Sequence, residues 1–180
     1  MTAVHGYKAR AFGLDLSLTS TGIASSRGWT DRIRPSSGAE GFVRMREILE
    51  AVRDAIGAHA LVVVESLALT RTTGQHLTRA GLWHVVMESV DRRWPWIEVS
   101  PTALKKYATG KGNAGKEEVL IAAIKRFGDM EIKGNDEADA LWLAAMGADL
   151  LGEPMVELPA VNRTALAKLT LPAEVVDDHS

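Results

Sequence analysis

A chain of 180 residues that is 46% hydrophobic and 24% charged has the size and profile of one globular domain with a proper core. It holds no apolar run of about 18 residues, which excludes a helical membrane span, and its lack of cysteine excludes disulfides and thiolate metal sites and fits a reducing compartment. The net charge of −2 hides an asymmetry: residues 149–180 hold six acids against two bases, whereas residues 66–135 hold eleven bases against seven acids, a mildly basic body that permits phosphate binding without demanding it.

MTAVHGYKAR has no apolar block of the signal-peptide kind, so the expected setting is the cytoplasm, of a bacterial cell or of a host if phage-encoded. ARAFGLDLS reads as a mostly apolar strand, and TGIASSRG and WTDRIRP as two short strands close behind it, an antiparallel meander. In AEGFVRMREILEAVRDAIGAHA the apolar residues at 42, 45, 48, 49, 52 and 56 have helical spacing. ALVVVES is a short β-branched run of the kind buried on both faces of a sheet. Residues 72–92 predict a helix containing Leu77, Leu82, Trp83, Val86 and Val90; WIEVS predicts another strand, and Pro101 a helix start. KEEVLIAAIKRF and DEADALWLAAMGADLL are helical, each with acids in its first turn. From Gly152 onward the periodicity is lost. The expected organisation is therefore one domain over residues 1–150 and an acidic tail over 151–180, extended or partly disordered; the competing expectation is that MVELPAVNRTALAKL folds back as a short helix over the sheet, burying Val161, Leu166 and Leu169. The order of elements predicts an α/β fold: a mixed five-stranded sheet, its first three strands antiparallel, flanked by helices and completed through right-handed crossovers.

Two acids fit this pattern poorly. Asp15 sits inside the apolar run of GLDLSLTSTG, with no Lys, Arg or His between Phe12 and Arg27 to pair with it, although burying a lone charge costs several kcal/mol or more. Glu65 ends LVVVE, where a charge is welcome only if the strand end opens on a site, as strand ends do in α/β sheets. Asp136 and Asp139, spaced i, i+3, share a helix face; the macrodipole alone is enough to favour acids there. Four carboxylates brought to one place repel unless divalent cations bind them, and an all-oxygen ligand set favours Mg²⁺ or Mn²⁺. Two such ions ~4 Å apart are the usual machinery for in-line attack of water on a phosphodiester.

These residues resemble a known family, the RuvC-type Holliday-junction resolvases, nucleases of the ribonuclease H-like fold. The likeness spans about residues 10–150 in four ordered blocks: GLDLSLTSTG, VVVESL, PTALKKYATGKGNAGKEEV and NDEADALWLA. It implies that Asp15, Glu65, Asp136 and Asp139 bind two Mg²⁺ ions, with Mn²⁺ as a substitute, and that Lys116 lies by the scissile phosphate. Lys105 matches a second basic position of the third block. Lys111, in the flexible TGKGNAG loop ahead of a helix N-terminus, and Arg71 and Arg79 are further candidates for the DNA backbone. The resemblance also implies a homodimer, with Leu82, Trp83, Val86 and Met87 supplying its apolar interface; the same four residues suit a core-facing surface.

The chain departs from the family at two points. Leu16-Ser17 follows the first acid where members often have Pro-Gly, and SLALTRTTG after Glu65 lacks the aromatic that commonly wedges into the junction. The expected activity is metal-dependent cleavage of Holliday junctions or other branched DNA, in recombination, repair or resolution of replication intermediates. A less selective nuclease acting on forks and flaps is the alternative. A non-catalytic DNA-binding module would keep four like charges at a cost. An actin-like ATPase fold, suggested by DLSLTSTG, would need a second domain that 180 residues do not supply.

Overall fold

The computed structural model describes residues 10–67 and 74–177. Five strands, β1 (Arg10–Asp15), β2 (Thr21–Ser25), β3 (Trp29–Ile33), β4 (Ala60–Glu65) and β5 (Trp96–Val99), form one sheet in the order β3-β2-β1-β4-β5. β1 pairs antiparallel with β2, and β2 with β3, while β4 and β5 join in parallel. This is the mixed topology expected from the spacing of the short apolar runs. The helices are α1 (Gly41–Ala55), α2 (Gly74–Asp91), α3 (Pro101–Thr109), α4 (Lys116–Arg126), α5 (Asn135–Leu150), α6 (Ala160–Arg163) and α7 (Ala173–Asp177), with a 3₁₀ turn at Thr164–Lys168. Among the described residues no helix is long and apolar enough to cross a membrane.

Alternation along β4 divides the core. Val62 and Val64 face one side with Phe12, Leu14, Met45, Ile48 and Val86, beneath α1 and α2. Leu61 and Val63 face the other with Leu104, Tyr107, Leu141 and Trp142, beneath α3, α4 and α5. A strand with a helical layer on each face is apolar at every position, and all of β4 up to Val64 is buried.

Helix α5 lies unusually close to the sheet. A Cβ at Gly13 would overlap the Ala140 carbonyl oxygen, and one at Gly22 would overlap that of Asp136. Glycine is required at both places because the helix backbone occupies the space of a side chain. Trp142, fully buried, donates from Nε1 to the Val119 carbonyl oxygen at 3.2 Å and stacks edge-on against Tyr107 and Phe127, which ties α5 to α3 and α4.

The C-terminal segment departs from the expectation of an extended tail. Residues 160–168 fold back as α6 and the 3₁₀ turn, and Leu158, Leu166 and Leu169 pack against the core beside α3 and α5. Val161, in contrast, is exposed. The Tyr107 hydroxyl donates to Asp149 Oδ2 at 3.0 Å, Arg163 caps the same carboxylate through Nε at 3.0 Å, and Asn162 Nδ2 donates to the Tyr107 carbonyl oxygen at 2.8 Å. A buried acid at position 149 demands such partners; the hydroxyl comes from α3 and the guanidinium from the C-terminal segment. Asn162→Ala leaves the Tyr107 carbonyl oxygen without this donor, a loss of about 1–3 kcal/mol. For a chain of this length the melting midpoint should fall by roughly 3–10 °C. A chain ending at Gly152 should lose far more or precipitate; calorimetry of the two variants beside the wild type checks both.

Candidate active site at the carboxyl ends of β1 and β4

Neighbouring parallel strands β1 and β4 run in register with Leu14 opposite Val64, so the next residues, Asp15 and Glu65, emerge side by side at the same end of the sheet. Past Asp15 the chain turns through Leu16–Ser20. The Thr21 hydroxyl closes that turn, donating to the Ser17 carbonyl oxygen at 2.8 Å and accepting from the Ser17 N–H at 3.1 Å. The hydroxyl-rich sequence after the acid therefore builds a tight hairpin whose backbone groups are satisfied locally. The start of α5, seated on Gly22, carries Asp136 and, one turn on, Asp139 to the same end.

Basic residues arrive on two elements that follow β5. Ser100 caps α3, its Oγ accepting from the Ala103 N–H at 3.2 Å, with Pro101 in the first turn. Gly110, at φ +84°, ends that helix in the left-handed conformation. The loop beyond it leads to α4, whose start is fixed by Glu118 accepting from the Gly115 N–H at 2.8 Å. Lys105 on α3 and Lys116 at the head of α4 both act electrostatically on Glu65 and Asp139.

At Asp15, Glu65 and Asp139 burial outweighs the relief from nearby positive charge. Burial is the largest influence on Asp15, and the charges of Glu65, Asp139 and Asp136 add to it; together they push its carboxyl up to about 8 against the relief from Lys116. Asp139 is pushed up to about 7, first by burial and then by Glu65, with Lys116 and Lys105 opposing. Burial raises Glu65 as well, while Lys116, Lys105 and Arg79 pull it down. None of the four makes an ion pair with a described residue; the ion pairs of the described chain lie elsewhere. Among the described residues no three His, Cys, Asp or Glu side chains already stand at metal-ligating spacing. The donor chemistry nevertheless fits a hard divalent cation: all oxygen, all anionic, and short of positive charge.

The other predicted residues divide. Arg79, on α2, joins Asp15 and Glu65 in lining a cavity of about 150 Å³, together with His76 one turn earlier and Trp83 one turn later. Lys111 turns toward Glu118, 3.9 Å from its carboxylate, on an exposed surface, and has no part in the electrostatics of the acids. Arg71 lies outside the described residues. The interface expected from Leu82, Trp83, Val86 and Met87 is corrected: Leu82, Val86 and Met87 are buried in the core beneath the sheet, and Trp83 donates from Nε1 to the Glu65 carbonyl oxygen at 3.2 Å. These apolar side chains seat α2 on the sheet, and Trp83 supports the strand end that presents Glu65. His76 escaped the sequence reading; its spacing of three residues from Arg79 on one helix was the available signal.

Asp15 and Asp139 keep protons in the folded chain at pH values where the unfolded chain has released them. Stability contributed by their neutral forms is complete below the ordinary value of 3.8 and is lost as pH rises through about 7 and about 8. The melting temperature of protein in EDTA should therefore fall across this window. Asp15→Asn, which cannot ionise, should melt several degrees above the wild type at pH 8.5 and level with it at pH 4. A flat wild-type profile would show the acids to be uncoupled.

No family profile matches the chain. It is 30% identical over 149 residues to the crossover junction endodeoxyribonuclease RuvC of Prochlorococcus marinus (strain MIT 9303), an alignment covering 77% of this chain and 97% of the relative. It is also 30% identical over 118 residues to the RuvC of Synechococcus sp. (strain CC9311), covering 64% and 74%. The fold matches the Thermus thermophilus RuvC structure with a TM-score of 0.59 at 18% identity, covering 80% of this chain and 97% of that one. The match to T. thermophilus RuvC in complex with Holliday junction substrate has a TM-score of 0.60 at 15% identity, covering 91% and 99%. With the ribonuclease H-like sheet, the acids at its carboxyl end and a relative aligned over nearly its whole length, the chain belongs to the RuvC family of crossover junction endodeoxyribonucleases.

Proposed function

We propose that this protein is a divalent-metal-dependent endonuclease that hydrolyses phosphodiesters in branched DNA, Holliday junctions foremost. The observation that carries the reading is the gathering of Asp15, Glu65, Asp136 and Asp139 from β1, β4 and α5 at one end of the sheet, with Lys116 as the strongest opposing charge on Asp15, Glu65 and Asp139. Two divalent cations, when bound by these acids, supply Lewis-acid activation of water and neutralise charge on the leaving oxygen. The chain's own groups hold the substrate. Lys116 sets a positive charge beside the scissile phosphate, where it acts on the charge that develops in the transition state. Lys105, Arg79, Lys111 and Arg71 grip the backbone without reading sequence. Burial of Asp15 and Asp139 makes the empty site unstable when ionised, so cation binding releases protons and gains from relieving repulsion.

Action on forks and flaps with less selectivity is the second reading. It is favoured by the stretch SLALTRTTG after Glu65, which offers no ring to stack into a junction.

Symmetric cutting of a four-way junction needs two sites, and we assign the second to another copy of this chain. The buried residues of α2 are unavailable for that contact, but Leu77 and Val85 are exposed on its outer side, and Phe42 and Val43 are exposed at the start of α1, which packs beside α2. Exposed apolar side chains of this size suit a subunit contact.

Asp15→Asn and Glu65→Gln should each lower cleavage of an end-labelled junction by more than about a hundredfold, beyond the usual cost of losing an outer partner of a ligand. Gel-shift affinity in Ca²⁺ should stay within a few-fold of the wild type. Undiminished cutting in EDTA would sink the metal assignment, and equal rates on junction, fork, flap and linear duplex would favour the second reading. Leu77→Glu should convert a dimer to a monomer in light scattering; an unchanged mass would place the contact elsewhere.

A further inference from the structure

Glu137 stands between Asp136 and Asp139 near the start of α5. Its side chain is only 3% exposed, and a carboxylate so deeply placed is expensive unless held. It is held from two sides: Arg32 Nε lies 2.8 Å from Oε1, and the Lys133 N–H donates to Oε2. The Glu137 carbonyl oxygen accepts from the Thr30 hydroxyl at 3.2 Å. Thr30 and Arg32 belong to the edge strand β3, so one strand grips both the backbone and the side chain of this helical residue.

The sheet register gives that grip a direction. Arg32 is the partner of Gly22 on β2, and Gly22 is the partner of Asp15 on β1, so Arg32, Gly22 and Asp15 form one row across three strands. The first turn of α5 is laid across this row, with the Asp136 carbonyl against Gly22. Successive residues of a helix are about 100° apart around its axis. Pulling Glu137 toward β3 therefore fixes where Asp136 and Asp139 point, and repulsion from Asp15 and Glu65 would otherwise roll or lift that turn.

We infer that Arg32 and Glu137 are positioning residues, a buried pair that sets the roll of α5 and thereby the affinity of the Asp136 and Asp139 carboxylates for divalent cation. The inference rests on the proposal that these acids bind metal. Its test turns on a sign. Loss of the Arg32 charge near an anionic site would by Coulomb attraction alone strengthen cation binding, so weaker binding in Arg32→Met reports geometry.

Calorimetric titration of DNA-free protein with Mn²⁺ should give a dissociation constant raised about ten- to a hundredfold in Arg32→Met, the usual range for an outer-shell partner. The Mg²⁺ concentration for half-maximal cleavage should rise in parallel, with the rate at saturating metal within a few-fold of the wild type. Arg32→Gln keeps a donor for Glu137 and covers the case in which the methionine variant does not fold; it should weaken Mn²⁺ several-fold. A lower melting temperature with unchanged or tighter Mn²⁺ binding in these variants makes the pair a structural staple only and overturns the inference. Wild-type cutting in EDTA would be a different failure, removing the metal reading and this inference with it.

Discussion

The close approach of α5 to β1 and β2 is the constraint on which the site depends. A helix carried at ordinary distance by interposed side chains would hold its first turn away from the strand ends. Here glycines at 13 and 22 let its backbone rest on the sheet, and Gly147 does the same near its other end, where a Cβ would come within 2.7 Å of Ala11 and Val63. The result is a helix buried on nearly all sides from Ala138 to Asp149, a rigid carrier for two acids. Rigidity matters because the four carboxylates do not want to be together, and only surrounding packing can keep them there.

That opposition explains features which look unrelated in the sequence. Val62, Val63 and Val64 form a stiff, fully buried strand that ends abruptly in Glu65. Trp83 uses its ring to fill the layer under α2 and its N–H to hold the Glu65 carbonyl oxygen, so one residue seats a helix and anchors a strand end. Lys105 and Lys116 reach the acids from separate helices without forming ion pairs with them, which leaves the carboxylate oxygens open to other ligands. Stability is sacrificed locally at the strand ends and recovered in the two cores on either side of the sheet.

What the sequence made legible followed from physical conflict. Asp15 and Glu65 could be singled out because a charge interrupts an apolar run, and the five strands because their runs are short and mostly apolar. The apolar residues of α2 were legible as helical but not as facing anything, since Leu77, Leu82, Trp83, Val85, Val86 and Met87 circle much of the helix. Only the sheet beneath shows which are core. Residues 160–168 were legible only as a competing possibility, because one turn of α-helix and one of 3₁₀ are too short to establish a period. Glu137 was invisible for a third reason: its meaning lies in Arg32, 105 positions away and across an edge strand, and no local pattern encodes such a pair.

The C-terminal segment also changes how the charge asymmetry should be understood. Six acids against two bases suggested a free polyanion masking a basic body. In the fold, Asp149 is buried between Tyr107 and Arg163, and the backbone of Glu157 accepts from Arg126 of α4 at 2.6 Å. Asn162 meanwhile holds the last turn of α3 just before Gly110 reverses the chain. The segment therefore braces α3 and α4, the two helices that carry Lys105 and Lys116, on the side remote from the carboxylates. A lysine on a helix braced in this way contributes to a phosphate site with less ordering left to be done on binding, because its backbone is already fixed. Asp149 acts through the partners it holds, a phenol from α3 and a guanidinium from the segment, more than through the field it casts.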